Sequence, residues 1–217
     1  MTGPVGGLAL VLVGYLVGAL PFGMLAGRLA GGVDLRQTGS RRTGATNTLR
    51  TLGWRWAAAV LLLDLAKGAA AVVLARALYA AGPPASAEWV QAAAGLAAVV
   101  GHNWSVFIGF RGGRGVAPSA GGMLVISPLT LLVILPLVGL VILRTRYVSL
   151  GSLVAAVGAP LVTAGLATAG AAGWAAVAYA IACGLLIILA HVDNVARLRT
   201  GTERRIGERE AAADGRG

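Results

Sequence analysis

Seven apolar runs, most of them about long enough to cross a bilayer as a helix, limit what this chain can become. They are residues 5–25, 56–81, 87–101, 116–126, 129–143, 149–169 and 174–190. In lipid a backbone has no water to bond, so each crossing segment must be a helix that satisfies its own N–H and C=O groups. The fold class read from this pattern is all-α: a polytopic membrane protein with seven transmembrane helices. Two short spans, 87–101 and 116–126, flank a glycine-rich loop. Only 12% of the 217 residues are charged, against about 25% in a soluble domain. The first run has no basic segment before it and is long enough to span, so it reads as a helix and not as a removable signal. Residues 1–198 read as one transmembrane domain. Residues 199–217 read as a basic cytoplasmic tail with an unstructured end. Gly82, Pro83 and Pro84 mark a turn.

Arginine placement sets the count and the orientation. Six arginines lie between residues 28 and 55, and Arg111 and Arg114 lie in the glycine loop. Arg144 and Arg146 lie in the next basic loop, and six more follow His191. If run 116–126 crosses the membrane, all of these fall on one face. If it does not, the last two groups land opposite the first two. The positive-inside tendency therefore selects seven spans, with the N-terminus outside and the polar loops and C-terminus in the cytoplasm. The net charge of +10 sits between apolar runs, so it reports topology and anionic headgroups and no nucleic-acid surface. Cys183 lies inside an apolar run and reads as a small packed hydrophobe.

Three polar segments then share the arginine-rich face. The first is Thr38-Gly39-Ser40-Arg41-Arg42-Thr43-Gly44-Ala45-Thr46-Asn47, followed by Arg50. The second runs from Gly101 and His102 through Gly109-Phe110-Arg111-Gly112-Gly113-Arg114-Gly115. The third begins at His191-Val192-Asp193-Asn194 and continues through Arg197 to Glu203. Glycines let backbone N–H groups converge on an anion, and guanidiniums add charge and forked donors, so this is phosphate-holding composition. Arg28, Arg55, Arg199, Arg204 and Arg205 read as plain interfacial anchors. The glycine loop lacks the GK[ST] ending of a nucleotide P-loop. Carboxylates are scattered, and the two histidines have no close ligand spacing, so no metal site and no cofactor are expected. His191 and Asn194 lie at i, i+3 at the end of the last span, placed to touch a substrate or take a proton from a hydroxyl. Asp64 and Lys67 lie at i, i+3 in the second span. Intramembrane charges are functional by default, which puts Lys67 among the candidate substrate-binding residues; a self-neutralising packing pair is the other reading.

Taken in order, these segments resemble the bacterial membrane acyltransferase family that moves a fatty acyl chain from acyl phosphate to glycerol 3-phosphate. The resemblance runs from Pro21-Phe22-Gly23, through the three motifs and Asp64-Leu65-Ala66-Lys67-Gly68, to Gly201-Thr202-Glu203. It implies a seven-helix enzyme, lysophosphatidic acid and phosphate as products, and no metal, nucleotide or thioester. Carried over by position, Ser40, Arg50, Arg111, Ser149, His191 and Asn194 would hold glycerol phosphate, with His191, Asn194 and Ser40 at the reacting centre. Gly44, Thr46, Asn47 and the loop Gly112, Gly113, Arg114 and Gly115 would hold the acyl phosphate. The chain departs from the family pattern at Arg41-Arg42-Thr43, where Gly-Asn and an apolar residue or proline are usual. Arg111 and Arg114 stand where lysines are usual.

An acyl phosphate is already activated, so the expected chemistry is direct attack by the sn-1 hydroxyl, helped by alignment and by cations around the departing phosphate. No serine or cysteine has a base partner, so no acyl-enzyme is expected. The competing class is a membrane transporter or channel for a phosphate-bearing solute. Such proteins place their site at the midplane between repeats, whereas the motifs here gather on one face.

Overall fold

The computed structural model describes residues 3–79 and 84–207. Among these residues all regular structure is helical. The elements are α1 (Gly3–Ala19), α2 (Phe22–Leu29), α3 (Ala45–Leu52), α4 (Trp54–Leu78), α5 (Pro84–Asn103), α6 (Val116–Ile126), α7 (Pro128–Thr145), α8 (Val148–Thr168), α9 (Trp174–Ala190) and α10 (Val192–Arg199). A short 3₁₀ turn, Val106–Ile108, lies in the glycine-rich segment. The turn expected at Gly82 and Pro83, and the end of the tail from residue 208, lie outside the described residues.

The chain is an all-α, multi-pass integral membrane protein. By length and composition, Gly3–Leu29, Trp54–Leu78, Pro128–Thr145 and Val148–Thr168 can each cross a bilayer. α9 with α10 passes the same test as a pair bent by 60°. Large apolar side chains on these helices, such as Leu132 and Leu161, are exposed as lipid-facing residues should be.

Two features differ from the sequence reading. The first apolar run is two helices, because Pro21 lacks an N–H and biases the preceding Leu20 away from helical geometry. The segment between residues 28 and 55, read as a loop, contains α3. Its sequence, ATNTLRTL, is amphipathic but only eight residues long, too short for a helical period to be read against the surrounding loop.

Packing relies on small residues. Cβ atoms on Gly14 and Gly18 of α1 would collide with the Ala94 and Ala98 carbonyls of α5, so these helices touch backbone to backbone. Close approach of this kind replaces the hydrophobic drive that lipid removes. Tyr179 of α9 is 2% exposed and donates from its hydroxyl to the Ser119 carbonyl of α6 at 3.0 Å. Cys183 is buried in the same apolar cluster, beside Met123 and Val99. Beyond α10, Ile206 and Arg146 exchange hydrogen bonds, and Arg205 lies 5.2 Å over the Tyr147 ring. The described part of the tail is thereby tied to the α7–α8 junction.

Candidate active site

The first polar segment is shaped by Asn47. Its carboxamide nitrogen reaches the carbonyls of Leu35, Thr38 and Arg42 at 2.9, 3.1 and 2.9 Å. Its oxygen accepts the Ser40 N–H at 2.8 Å. Asn47 is thus fully occupied in winding the loop ahead of the α3 N-terminus, which begins at Gly44 and includes Thr46. First-turn N–H groups have no intrahelical partner and favour anions. Arg41 takes a φ of 56°, a left-handed conformation that glycine adopts without a Cβ penalty and that asparagine offsets by local side-chain hydrogen bonding. Arg36 pairs with Asp34 at 2.8 Å and donates to the Ile108 carbonyl at 3.2 Å, tying this loop to the glycine-rich one.

The glycine-rich loop hangs from the C-terminus of α5. Gly112 N–H donates to the Asn103 carbonyl at 3.1 Å and Gly113 N–H to the His102 carbonyl at 3.0 Å. A side chain at either glycine would strike α5, so the loop lies flush on that helix end. Arg114 is buried enough that its guanidinium is lowered to about 10, by burial first and then by the charges of Arg42 and Arg197. Arg50 and Glu203 act on it as well. Charged residues of the first and third motifs therefore lie near enough to act on Arg114.

Glu203 organises the third segment. One carboxylate oxygen accepts from Ser149 Oγ at 2.9 Å and from Asn194 Nδ2 at 2.7 Å, and the other pairs with Arg197 Nε at 2.8 Å. Burial raises the Glu203 carboxyl, but the hydrogen bonds from Asn194, Ser149 and Arg197 outweigh it and hold the group below its ordinary value. His191 is 2% exposed at the break between α9 and α10. Its Nδ1 donates to the Ile187 carbonyl at 2.8 Å, a tautomer set by that bond, which leaves Nε2 as an acceptor.

Lys67 lies elsewhere. Its ammonium bonds Asp64 and the Leu20 carbonyl, both at 2.9 Å, behind the glycine loop. Two of its three donors are therefore engaged within the protein. Among the described residues, the buried side-chain atoms without a hydrogen bond are Asn103 Nδ2 and Oδ1, Arg114 Nε and Asn194 Oδ1. All lie in the second and third motifs. Arg42, Arg111 and Arg114 are in no ion pair among the described residues. Sequence reading passed over Asn103, Arg42 and Glu203 as site residues. Glu203 had a signal: it is the lone carboxylate between Arg197 and Arg204 in a chain poor in acids. Asn103 had none, because its burial against Gly115 follows from the loop's path.

An apolar cavity of about 180 Å³ opens beside these groups. Val116, one residue after the glycine loop, and Val148, one before Ser149, line it. It continues between α6, α7, α8 and α9 past Met123, Ile134 and Ala156. A cation-rich polar site next to an apolar cavity, inside a multi-pass helical bundle, defines a membrane protein built to take ligands with one anionic and one hydrocarbon part.

The sequence profile of the glycerol-3-phosphate acyltransferase family matches residues 8–201. The glycerol-3-phosphate acyltransferase of a Thermus thermophilus strain is 45% identical over 93% of this chain and 96% of its own length. That of a Synechococcus strain is 44% identical with the same coverage. The crystal structure of PlsY (YgiH), an integral membrane glycerol 3-phosphate acyltransferase, in its glycerol 3-phosphate form, superposes with a TM-score of 0.82. It is 39% identical, over 93% of this chain and 96% of that one. The chain belongs to the glycerol-3-phosphate acyltransferase family and is a membrane acyltransferase of phospholipid synthesis.

Proposed function

We propose that this protein transfers a fatty acyl group from acyl phosphate to the sn-1 hydroxyl of glycerol 3-phosphate, giving lysophosphatidic acid and inorganic phosphate. The supporting observation is the set of unengaged polar groups described above, in segments that lead directly into Val116 and Ser149's neighbour Val148 on the wall of an apolar cavity. The acyl phosphate's phosphoryl group lies against Gly112, Gly113, Arg114 and Gly115, near Arg42 and the α3 N-terminus at Gly44 and Thr46. Asn103 adds a carboxamide to that cradle. The acyl chain follows the cavity from Val116 into the bundle. Glycerol 3-phosphate is held by Ser40, Arg50, Arg111, Ser149 and Asn194.

The glycerol oxygen attacks the acyl carbonyl carbon. The bond from that carbon to the phosphate oxygen breaks, and phosphate leaves with its electron pair. The hydroxyl proton passes to His191 Nε2 or to the departing phosphate. Buried guanidiniums stabilise the leaving group more strongly than they would in water. Alignment of the two substrates supplies much of the remaining rate, roughly 7–11 kcal/mol at most. In the bacterial cell membrane the N-terminus lies outside and the three motifs face the cytoplasm, the arrangement that the arginine pattern supports.

Purified protein should release phosphate only when acyl phosphate and glycerol 3-phosphate are both present. Release without the acceptor, or labelled-anion uptake into proteoliposomes with no release, would overturn the proposal. Rapid-quench mass spectrometry should show no acyl-enzyme.

A further inference from the structure

One group of buried charges takes no part in the mechanism above. Asp64, Lys67 and His102 are 2%, 5% and 6% exposed. Asp64 Oδ1 lies 2.9 Å from Lys67 Nζ and 3.5 Å from His102 Nδ1. Lys67 also donates to the Leu20 carbonyl at 2.9 Å, at the break between α1 and α2, and stands 5.6 Å from the Phe22 ring. A pair that served helix packing alone would need only its two members. Here the carboxylate also faces an imidazole, and that imidazole carries the glycine loop.

His102 meets the loop twice. Its carbonyl accepts the Gly113 N–H at 3.0 Å, and its ring Nε2 lies where a Gly113 Cβ would stand. The same carbonyl lies against Gly112. A rotation or shift of the ring therefore displaces the backbone at residues 112 and 113, and with it the N–H groups next in line. Rigid packing passes such a shift on instead of absorbing it.

We infer that Asp64, Lys67 and His102 form a positioning chain that sets the glycine loop in register for catalysis, acting through the His102 ring on Gly113. The inference rests on the reading that this loop cradles the donor's phosphate. None of the three needs to touch substrate. Asp64 holds the ring, and Lys67 neutralises Asp64 and anchors the group to the Leu20 break.

Asp64→Leu combined with Lys67→Met tests this in the full-length protein in detergent. Replacing both members of a buried pair with apolar residues of similar size is commonly neutral or stabilising, unlike removal of one member. The thermal midpoint should hold while kcat falls on the order of a hundredfold, the cost of a displacement of about 1 Å at a reacting centre. The KM for acyl phosphate should rise, and that for glycerol 3-phosphate should not. His102→Leu leaves the ion pair whole and removes only its link to the loop, so it must lose kcat in the same way. Wild-type kcat and donor KM in either variant would overturn the inference. If the wild-type protein releases no phosphate from the two substrates, the reading of the loop itself fails, and the inference falls with it by a distinguishable result.

Discussion

Arg111 and Asn103 sit eight residues apart on the same loop system, yet their side chains are in opposite situations. Arg111 is in no ion pair among the described residues. Losing it leaves no buried partner stranded, so Arg111→Ala should fold normally. A hydrogen bond to a charged group is worth about 1.5–3 kcal/mol, so the KM for glycerol 3-phosphate should rise roughly ten- to a hundredfold; steady-state kinetics with unchanged constants would remove Arg111 from the site. Asn103 is 3% exposed with both amide atoms unpartnered. A buried polar group without a partner costs about 1–3 kcal/mol. Asn103→Leu should therefore raise the thermal midpoint of the free protein while raising the KM for acyl phosphate. A residue that merely supports the loop would lose stability instead. The contrast also marks how far the sequence reaches. A loop rich in glycine and arginine is legible as an anion site from residue types alone. That Asn47 and Lys67 bond backbone carbonyls inside the protein is not legible, because the Leu35, Thr38, Arg42 and Leu20 carbonyls are brought to them by chain path.

Between elements, two couplings carry consequences. Glu203 joins α8 through Ser149 to α10 through Asn194 and Arg197. Its carboxyl is held below the ordinary 4.5 by those bonds, against the opposing effect of burial. A depressed carboxyl pKa stabilises the fold fully above the unfolded value, and the contribution is lost as pH falls through the folded one. The thermal midpoint should therefore drop on acidification below about pH 4.5, and Glu203→Gln, already uncharged, should flatten that limb of the curve. The second coupling is the cavity between α6, α7, α8 and α9. Ala156 is 4% exposed and lines it two helical turns beyond Val148. Ala156→Phe fills the interior end and leaves the mouth alone, so the enzyme should shift toward shorter acyl chains in a competition assay; an unchanged chain profile would place the acyl group elsewhere. Helices α4, α7, α8 and α9 are readable as apolar runs. The break at Leu20-Pro21 and helix α3 are harder, because one lies inside a continuous apolar run and the other inside a polar one.

For the whole molecule, orientation turns on α6. Its 11 residues rise about 17 Å, against about 30 Å of hydrocarbon. Such a helix completes a crossing only if the glycine loop at its start is sunk below the membrane face. A sunken loop is physically permissible here, since irregular backbone at depth is tolerated where protein encloses it, and Asn103 and the Arg114 Nε are enclosed by protein. The arginine pattern demands the same crossing, because without it Arg144 and Arg146 would lie opposite Arg111 and Arg114. The proposed crossing of α6 therefore rests on the charge asymmetry of the sequence, and labelling from each face tests it. Single cysteines replacing Phe107, which is 55% exposed, and Arg144 test it, with Cys183 too buried to compete. In inverted membrane vesicles both new thiols should react with an impermeant maleimide, and in right-side-out vesicles neither should. Labelling of the two from opposite faces would show that α6 does not cross. It would then place the α7–α8 junction, with Ser149, on the far side from the glycine loop.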